Sequence, residues 1–288
     1  MRLALGTVQF GMDYGIANHG GQVGSSDVIQ ILNRARAAGI DTLDTAIAYG
    51  ESETRLGEAG VAGFKVVTKL PPMPVGIEDP YAWAHHELLA SLLRLKVPSV
   101  YGLLLHRSEL LIGANGAVIA RALRDIKAAG LAAKIGVSIY SPDELDDVLA
   151  ACPIDLVQAP LNLIDRRLLD SGWAARLKDG GVELHARSAF LQGLLLMPPA
   201  ARPPKFEKWL PLWRRWDAWL EENCQTSLQA ALGFVLAQPE VDRVVFGIDS
   251  LPQLQEILLA VECGAVPVPA DLQSYDQDLI NPANWPRH

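Results

Sequence analysis

The sequence is poor in cysteine, has no long apolar run and holds no block of basic charge. Cys152, Cys224 and Cys263 are odd in number and far apart, with no CxxC and no Cys/His pair at zinc spacing. That argues against a disulfide framework or a zinc site. No stretch approaches the roughly 20 apolar residues needed to cross a bilayer. The start, MRLALGTVQFG, lacks a basic segment followed by an apolar core and a small-residue cleavage site, so the chain is expected in the cytoplasm with reduced thiols. With 33 acidic against 25 basic residues the net charge is −8, and no aromatic-spaced Lys/Arg stripe offers a footprint for nucleic acid or anionic membrane. No GxGxxG follows the first candidate strand, which removes the usual fingerprint of a doubly wound dinucleotide fold. The histidines do not supply a metal site either. His85 and His86 are adjacent on a helical pattern and point to different faces, His19 falls in a Gly-rich loop, and His185 lies inside a strand.

What is present is alternation. Eight short runs read as strands: RLALG, IDTLDT, KVVTKL, SVYGLLLH, AKIGVS, DLVQAPLN, VELHARS and VVFGI. Most are continuously apolar, the pattern of parallel strands buried on both faces and joined by crossover helices. Helical patterns fall between them at 25–38, 51–59, 80–96, 115–129, 142–151, 165–179, 206–237 and 250–262. Ser25-Ser26-Asp27 and Ser141-Pro142-Asp143-Glu144 are start signals, and Gly39, Gly130 and Gly180 stand where left-handed C-caps are expected. Such a repeat of helix, glycine, strand and polar loop predicts an α/β fold, a single-domain (β/α)₈ TIM barrel over residues 1–288. One segment breaks the rhythm, LLLMPPAARPPKFEKWLPLWRRWDAWLEENC. Its tryptophans at 209, 213, 216 and 219 have helical spacing and predict a core-facing stripe; the alternative is a lid over the rim.

Four polar residues stand at or just beyond strand ends: Asp44, Tyr49, Lys69 and His106. In a parallel barrel those ends share one rim, where active sites are built. Together they suit reduction of a carbonyl, whose oxygen must be protonated as hydride arrives at carbon. Tyr49 would donate the proton, its pKa lowered from about 10 by the Lys69 ammonium. Asp44 would hold Lys69 charged and oriented, and His106 would hydrogen-bond the carbonyl oxygen.

These motifs bring a resemblance into view. LALGTVQFG, DTAIAYGESETRLG, TKL, LLLH, IGVS, LVQAPLN and TSLQAALGFVLAQPEVDRVVFGIDSLPQLQE together make the chain resemble the aldo-keto reductase superfamily over nearly its whole length. The resemblance implies an NADP(H)-linked oxidoreductase with Asp44, Tyr49, Lys69 and His106 as the catalytic set and a small-molecule carbonyl substrate. It places Gly6, Thr7 and Asp44 near the cofactor, Ser138 and Gln158 on the nicotinamide carboxamide, and Arg187, Ser188, Phe190, Gln192 and Gly193 along it. Gly247, Ser250, Gln253 and Glu256 would meet the adenosine end. Departures occur at Ile139 and Ile257, where the family often has Asn, at Arg187, where it often has an aromatic, and at Gln253, where an Arg is absent. Family habit favours NADP, with NAD possible because Asp249 brings negative charge close by. Gln9, Phe10, Met12, Asp13, Tyr14, Arg107, Ser108 and the tail 281–288 are expected at the substrate pocket. The polarity of Gln9, Asp13, Arg107, Arg187 and Gln192 points to a sugar-like or anionic aldehyde. A second reading is a catalytically weak NADP(H)-binding subunit that senses redox state or binds partners, and a third, a metal-assisted lyase on the same barrel, lacks ligand spacing. Nothing in the sequence selects an oligomeric state.

Overall fold

The computed structural model describes residues 1–18 and 20–285. Eight strands run in parallel and close in chain order: β1 Leu3–Gly6, β2 Thr42–Asp44, β3 Lys65–Leu70, β4 Val100–Leu105, β5 Ala132–Ser138, β6 Leu156–Pro160, β7 Glu183–Arg187 and β8 Arg243–Gly247. Pairing of β1 with β8, Leu3 beside Val244 through Gly6 beside Gly247, seals the barrel and leaves no sheet edge. The flanking helices used below are α1 Ser25–Ala37, α2 Ser52–Ala59, α3 Pro80–Leu95, α4 Gly116–Ala128, α5 Leu145–Ala151, α6 Trp173–Asp179, α7 Leu210–Glu222, α8 Ser227–Leu236 and α9 Leu251–Val261.

Period-two alternation divides the core. Val66, Leu70, Leu103 and Leu105 join the large cluster between strands and helices. Val67, Leu104 and Leu156 form a separate buried cluster that fills the barrel interior, with Tyr101 packed on it. At the strand beginnings, Glu183 accepts hydrogen bonds from Tyr101 (2.7 Å), His185 (2.8 Å) and Lys134, which ties β4, β5 and β7 together. The strand ends are left to carry the site.

Helix ends follow local chemistry in most places. Ser141 and Glu144 form a reciprocal capping box ahead of α5, as the sequence predicts. Gly39 and Gly130 adopt left-handed backbone (φ 78° and 74°), but Gly180 is right-handed (φ −77°) and the neighbouring Gly181 takes the left-handed turn (φ 70°). The start of α1 also differs: Gly24, not a serine side chain, occupies its cap. The pattern at 165–179 is interrupted at Gly172 (φ 76°), so α6 begins only at Trp173.

The expected long helix at 206–237 is two helices. Cys224 turns left-handed (φ 49°), and Thr226 starts α8 by exchanging hydrogen bonds with Gln229. That T-x-x-Q signal overrides the continuous apolar pattern. Trp213, Trp216 and Trp219 are buried, and Trp216 stacks on Trp219 with ring centroids 5.7 Å apart. Their stripe anchors α7 in the core, and no tryptophan of this segment lines the site cleft, although Leu196 at its start does. Beyond β8, Leu272, Leu279, Ile280 and Trp285 bury into the same core. Among the described residues no helix is long and apolar enough to cross a membrane.

Candidate active site

At the carboxyl ends of the strands lies a cleft of about 560 Å³, within the range of small-molecule and cofactor sites. Its floor is charged. Lys69, fully buried at the end of β3, places Nζ 2.8 Å from both carboxylate oxygens of Asp44 on β2 and 2.9 Å from the Thr45 carbonyl. Burial pulls the Lys69 pKa down, and the paired carboxylate opposes it. Tyr49, in the loop after β2, sets its hydroxyl 3.5 Å from that ammonium, with Nζ also 5.0 Å from the ring centroid. His106, one residue past β4, meets Tyr49 edge-on at 5.7 Å. The four residues expected to act together are therefore brought together.

Their electrostatics differ from the expectation in one respect. Tyr49 is not made more acidic: burial, reinforced by the negative charge of Asp44, pushes its pKa well above the ordinary tyrosine range. The Lys69 charge is shared with Asp44, so it does not outweigh the loss of water. His106 moves the other way, to about 4, because burial and then the Lys69 charge disfavour the imidazolium. Its Nδ1 is buried without a hydrogen-bond partner, so the neutral ring meets the cleft through Nε2.

Register aligns the remaining rim. Gly6 lies beside both Asp44 and Gly247, and Ser138 lies beside Gln158. Thr7 spans Ser52 and the Asp44 carbonyl with its hydroxyl, which joins β1 to the start of α2. Gln158 donates to Asp44 at 2.6 Å and accepts from Ser138 at 3.5 Å, so it steadies the carboxylate as well as facing the cleft. Ile139 is buried; its N–H donates to the Gln158 carbonyl at 2.9 Å and its carbonyl accepts from Arg187 at 2.9 Å. Arg187 also donates to Ser188 and lies 4.5 Å from the ring centroid of Tyr140; among the described residues it makes no ion pair, so it is not a rim salt bridge.

After β7 the chain is strained. Ser188, Leu191 and Gln192 have positive φ (61°, 47° and 53°), a conformation that costs energy in residues with a Cβ and concentrates at ligand sites, and Gly193 follows at φ 91°. Ser188, Phe190, Gln192 and Gly193 all line the cleft. Gln192 donates to the Tyr14 hydroxyl at 3.0 Å, linking this segment to the loop after β1.

At the far end, Gly247, Gln253 and Glu256 line the cleft, whereas Ser250 caps α9 and does not reach it. Lys69 likewise lies beneath the lining. Of the residues expected around the substrate, Gln9, Met12 and Tyr14 line the cleft. Phe10 is instead buried in the core, Asp13 and Arg107 are exposed outside the cleft, and Ser108 is buried and bonded to Glu144. Asn281 caps a short turn away from the cleft. His19 and residues 286–288 of the tail lie outside the described residues.

Two participants escape sequence reasoning. Tyr140 lines the cleft through a contact across strands that no local motif encodes. Gly11 matters by what it lacks: a Cβ there would stand 1.7 Å from the Tyr49 carbonyl, so only glycine lets the loop after β1 seat the Tyr49 backbone.

The comparisons with known proteins decide the family. The family profile described as Aldo/keto reductase family matches residues 2–267. The chain belongs to the aldo/keto reductase family. Aldo-keto reductase YhdN of Bacillus subtilis (strain 168) is 24% identical over 291 residues, covering 89% of this chain and 83% of that protein. The holo form of aldo-keto reductase AKR11C1 from Bacillus halodurans superposes with a TM-score of 0.73 at 22% identity, covering 100% of this chain and 94% of that one. Glycerol dehydrogenase AKR11B4 from Gluconobacter oxydans gives 0.71 at 23% identity, with 92% and 88% covered. At these identities the two structures bear on the fold. As an aldo/keto reductase the chain is an oxidoreductase acting on small molecules.

The cleft also fits a nicotinamide dinucleotide. A Cβ on Gly247 would stand 2.6 Å from the Gln9 amide, and one on Gly193 would meet Ala17 at 2.5 Å, so both glycines of the lining let neighbouring side chains approach closely. Gln9 Oε1 and His106 Nδ1 remain buried without partners beside it.

Proposed function

We propose that this aldo/keto reductase reduces an aldehyde or ketone to the alcohol, with Tyr49 as general acid. The observation that carries the reading is the buried Lys69–Asp44 pair beneath the Tyr49 hydroxyl, at a cleft of about 560 Å³. When bound, the nicotinamide cofactor supplies hydride to the carbonyl carbon. Tyr49 gives its hydroxyl proton to the carbonyl oxygen, which leaves as an alcohol. The raised pKa keeps the phenol protonated until alkoxide, a far stronger base, develops. Lys69, 3.5 Å away, stabilises the phenolate left behind. His106, held neutral, offers a hydrogen bond from Nε2 that orients the carbonyl without competing as acid.

Ser138 and Gln158 would hold the nicotinamide end, Gln192, Gly193 and Gly247 the middle, and Gln253 and Glu256 the far end. The substrate reading is a polar, sugar-like or anionic aldehyde, supported by Gln9, Tyr14, Arg187 and Gln192 on the lining; Asp13 and Arg107 no longer contribute. The unpaired state of Cys152, Cys224 and Cys263 suits a reducing cytoplasm.

The test is oxidation of NADH and of NADPH, followed by absorbance, with sugar aldehydes, short aliphatic aldehydes and an activated aromatic aldehyde. Turnover is expected, and Tyr49→Phe should lower kcat by roughly 10²–10⁴-fold while the cofactor still binds. Near-normal turnover in that variant removes Tyr49 from its role.

A further inference from the structure

Arg187 ends β7 and is the only lysine or arginine among the described residues lining the cleft. One Nη donates to the Ile139 carbonyl (2.9 Å), the other to the Ser188 hydroxyl (3.2 Å), and the guanidinium lies 4.5 Å from the Tyr140 ring centroid. All three partners are neutral, so they fix the group in place without cancelling its charge. Among the described residues no carboxylate forms an ion pair with it.

The charges around the reacting groups do not balance it either. Asp44 and Lys69 cancel each other, and His106 stays neutral until pH falls toward about 4. Burial raises the Tyr49 and Tyr14 pKa values and lowers that of His106; within that setting the Arg187 charge draws all three down, so it is felt where the carbonyl would react. A half-buried cation without a counter-charge is costly, and an anion in the cleft relieves the cost.

Donors for such an anion converge here. A guanidinium carries five N–H groups, and the two bonds above leave the others for a ligand. Tyr14 accepts from Gln192 through its hydroxyl and, among the described residues, donates to none; the Tyr140 hydroxyl makes no hydrogen bond to them. Both tyrosines line the cleft. A planar carboxylate accepts from guanidinium and phenol alike, and its single negative charge matches the single cation of the lining, which a phosphate dianion would exceed.

We propose that the substrate is an aldehyde or ketone bearing a carboxylate, which Arg187 receives with Tyr14 and Tyr140 donating beside it while Tyr49 and His106 face the carbonyl. The inference rests on the proposed reductase function and narrows its polar substrates to carboxylates.

The experiment compares kcat/KM within matched pairs, 4-carboxybenzaldehyde against methyl 4-formylbenzoate and 4-oxobutanoate against its methyl ester, with NADH and with NADPH. The acid should be preferred by about 10–10²-fold in at least one pair, the scale of a charge-assisted contact. This wild-type ratio tests the substrate class without any substitution. Arg187→Met should bring the ratio close to one through a raised KM for the acid, and Arg187→Lys should keep part of the preference. Esters turned over as well as acids overturn the carboxylate class and leave the reductase reading standing. A preference that survives in Arg187→Met, or weaker cofactor binding there by fluorescence titration with the ratio unmoved, overturns Arg187 as the receiving group. Turnover of neither member of either pair, nor of any other carbonyl tried, overturns the reductase reading and this inference together.

Discussion

Tyr49 and His106 touch through their rings, yet the fold displaces their acidities in opposite directions. Loss of water disfavours whichever form is charged, phenolate in one case and imidazolium in the other. The pH dependence follows from these signs. His106 protonates only as pH falls toward about 4. Tyr49 keeps its proton beyond the ordinary tyrosine value of about 10. We therefore predict a plateau in kcat/KM for carbonyl reduction from about pH 6 to about pH 9. Measured profiles with a descending alkaline limb centred near pH 7 would contradict the raised Tyr49 and restore the expectation of a lysine-acidified phenol. Lys69 belongs to the same scale. Replacing it with Met strands the buried Asp44 carboxylate, so a loss of about 3–5 kcal/mol is expected in denaturant unfolding.

Elements meet at positions that tolerate no side chain. Gly57 of α2 would set a Cβ 2.0 Å from the Arg94 carbonyl, which is how closely α2 and α3 cross. Beside it, Glu53 accepts from Thr68, Ser91 and Arg94, binding the two helices to β3. The Gly11 contact works by the same rule at the active site. Gly11→Ala should fold but displace Tyr49, and since an error of about 1 Å can cost about 10²-fold in rate, kcat should drop on that scale. Normal kcat in a folded Gly11→Ala protein would show that the Tyr49 loop is set elsewhere. At α8, Thr226→Ala removes a reciprocal cap and should cost about 1 kcal/mol, read as a lower unfolding midpoint with unchanged turnover.

The whole barrel separates stability from chemistry along its axis. Glu183 sits at the beginning of β7, and the residues proposed as catalytic at the strand ends. Burial alone would raise the Glu183 pKa, but hydrogen bonds from His185, Lys134 and Tyr101 hold it well below the usual carboxylate range. A depressed folded pKa means stability that is fully present above the unfolded value of about 4.3 and lost as pH falls below it. Glu183→Gln should therefore melt several degrees lower at neutral pH, with the gap narrowing by about pH 3 and kcat unaffected. A gap that widens on acidification would reverse the sign assigned here.

All eight strands, their order and the four-residue constellation are legible in the sequence, because strand periodicity and helix caps are written in neighbouring residues. KVVTKL is β3 to the residue, and Ser141 with Glu144 caps as its spacing implies. The tertiary structure decided what depends on residues far apart in the chain. Phe10 turned to the core while Gln9 faced the cleft; Arg187 crossed to Tyr140; the 206–237 pattern broke at Cys224. Burial raised Tyr49 where residue chemistry alone would have lowered it. Alternation and capping are local and survive in a linear reading, whereas desolvation and steric exclusion arise only once the chain has closed around the site.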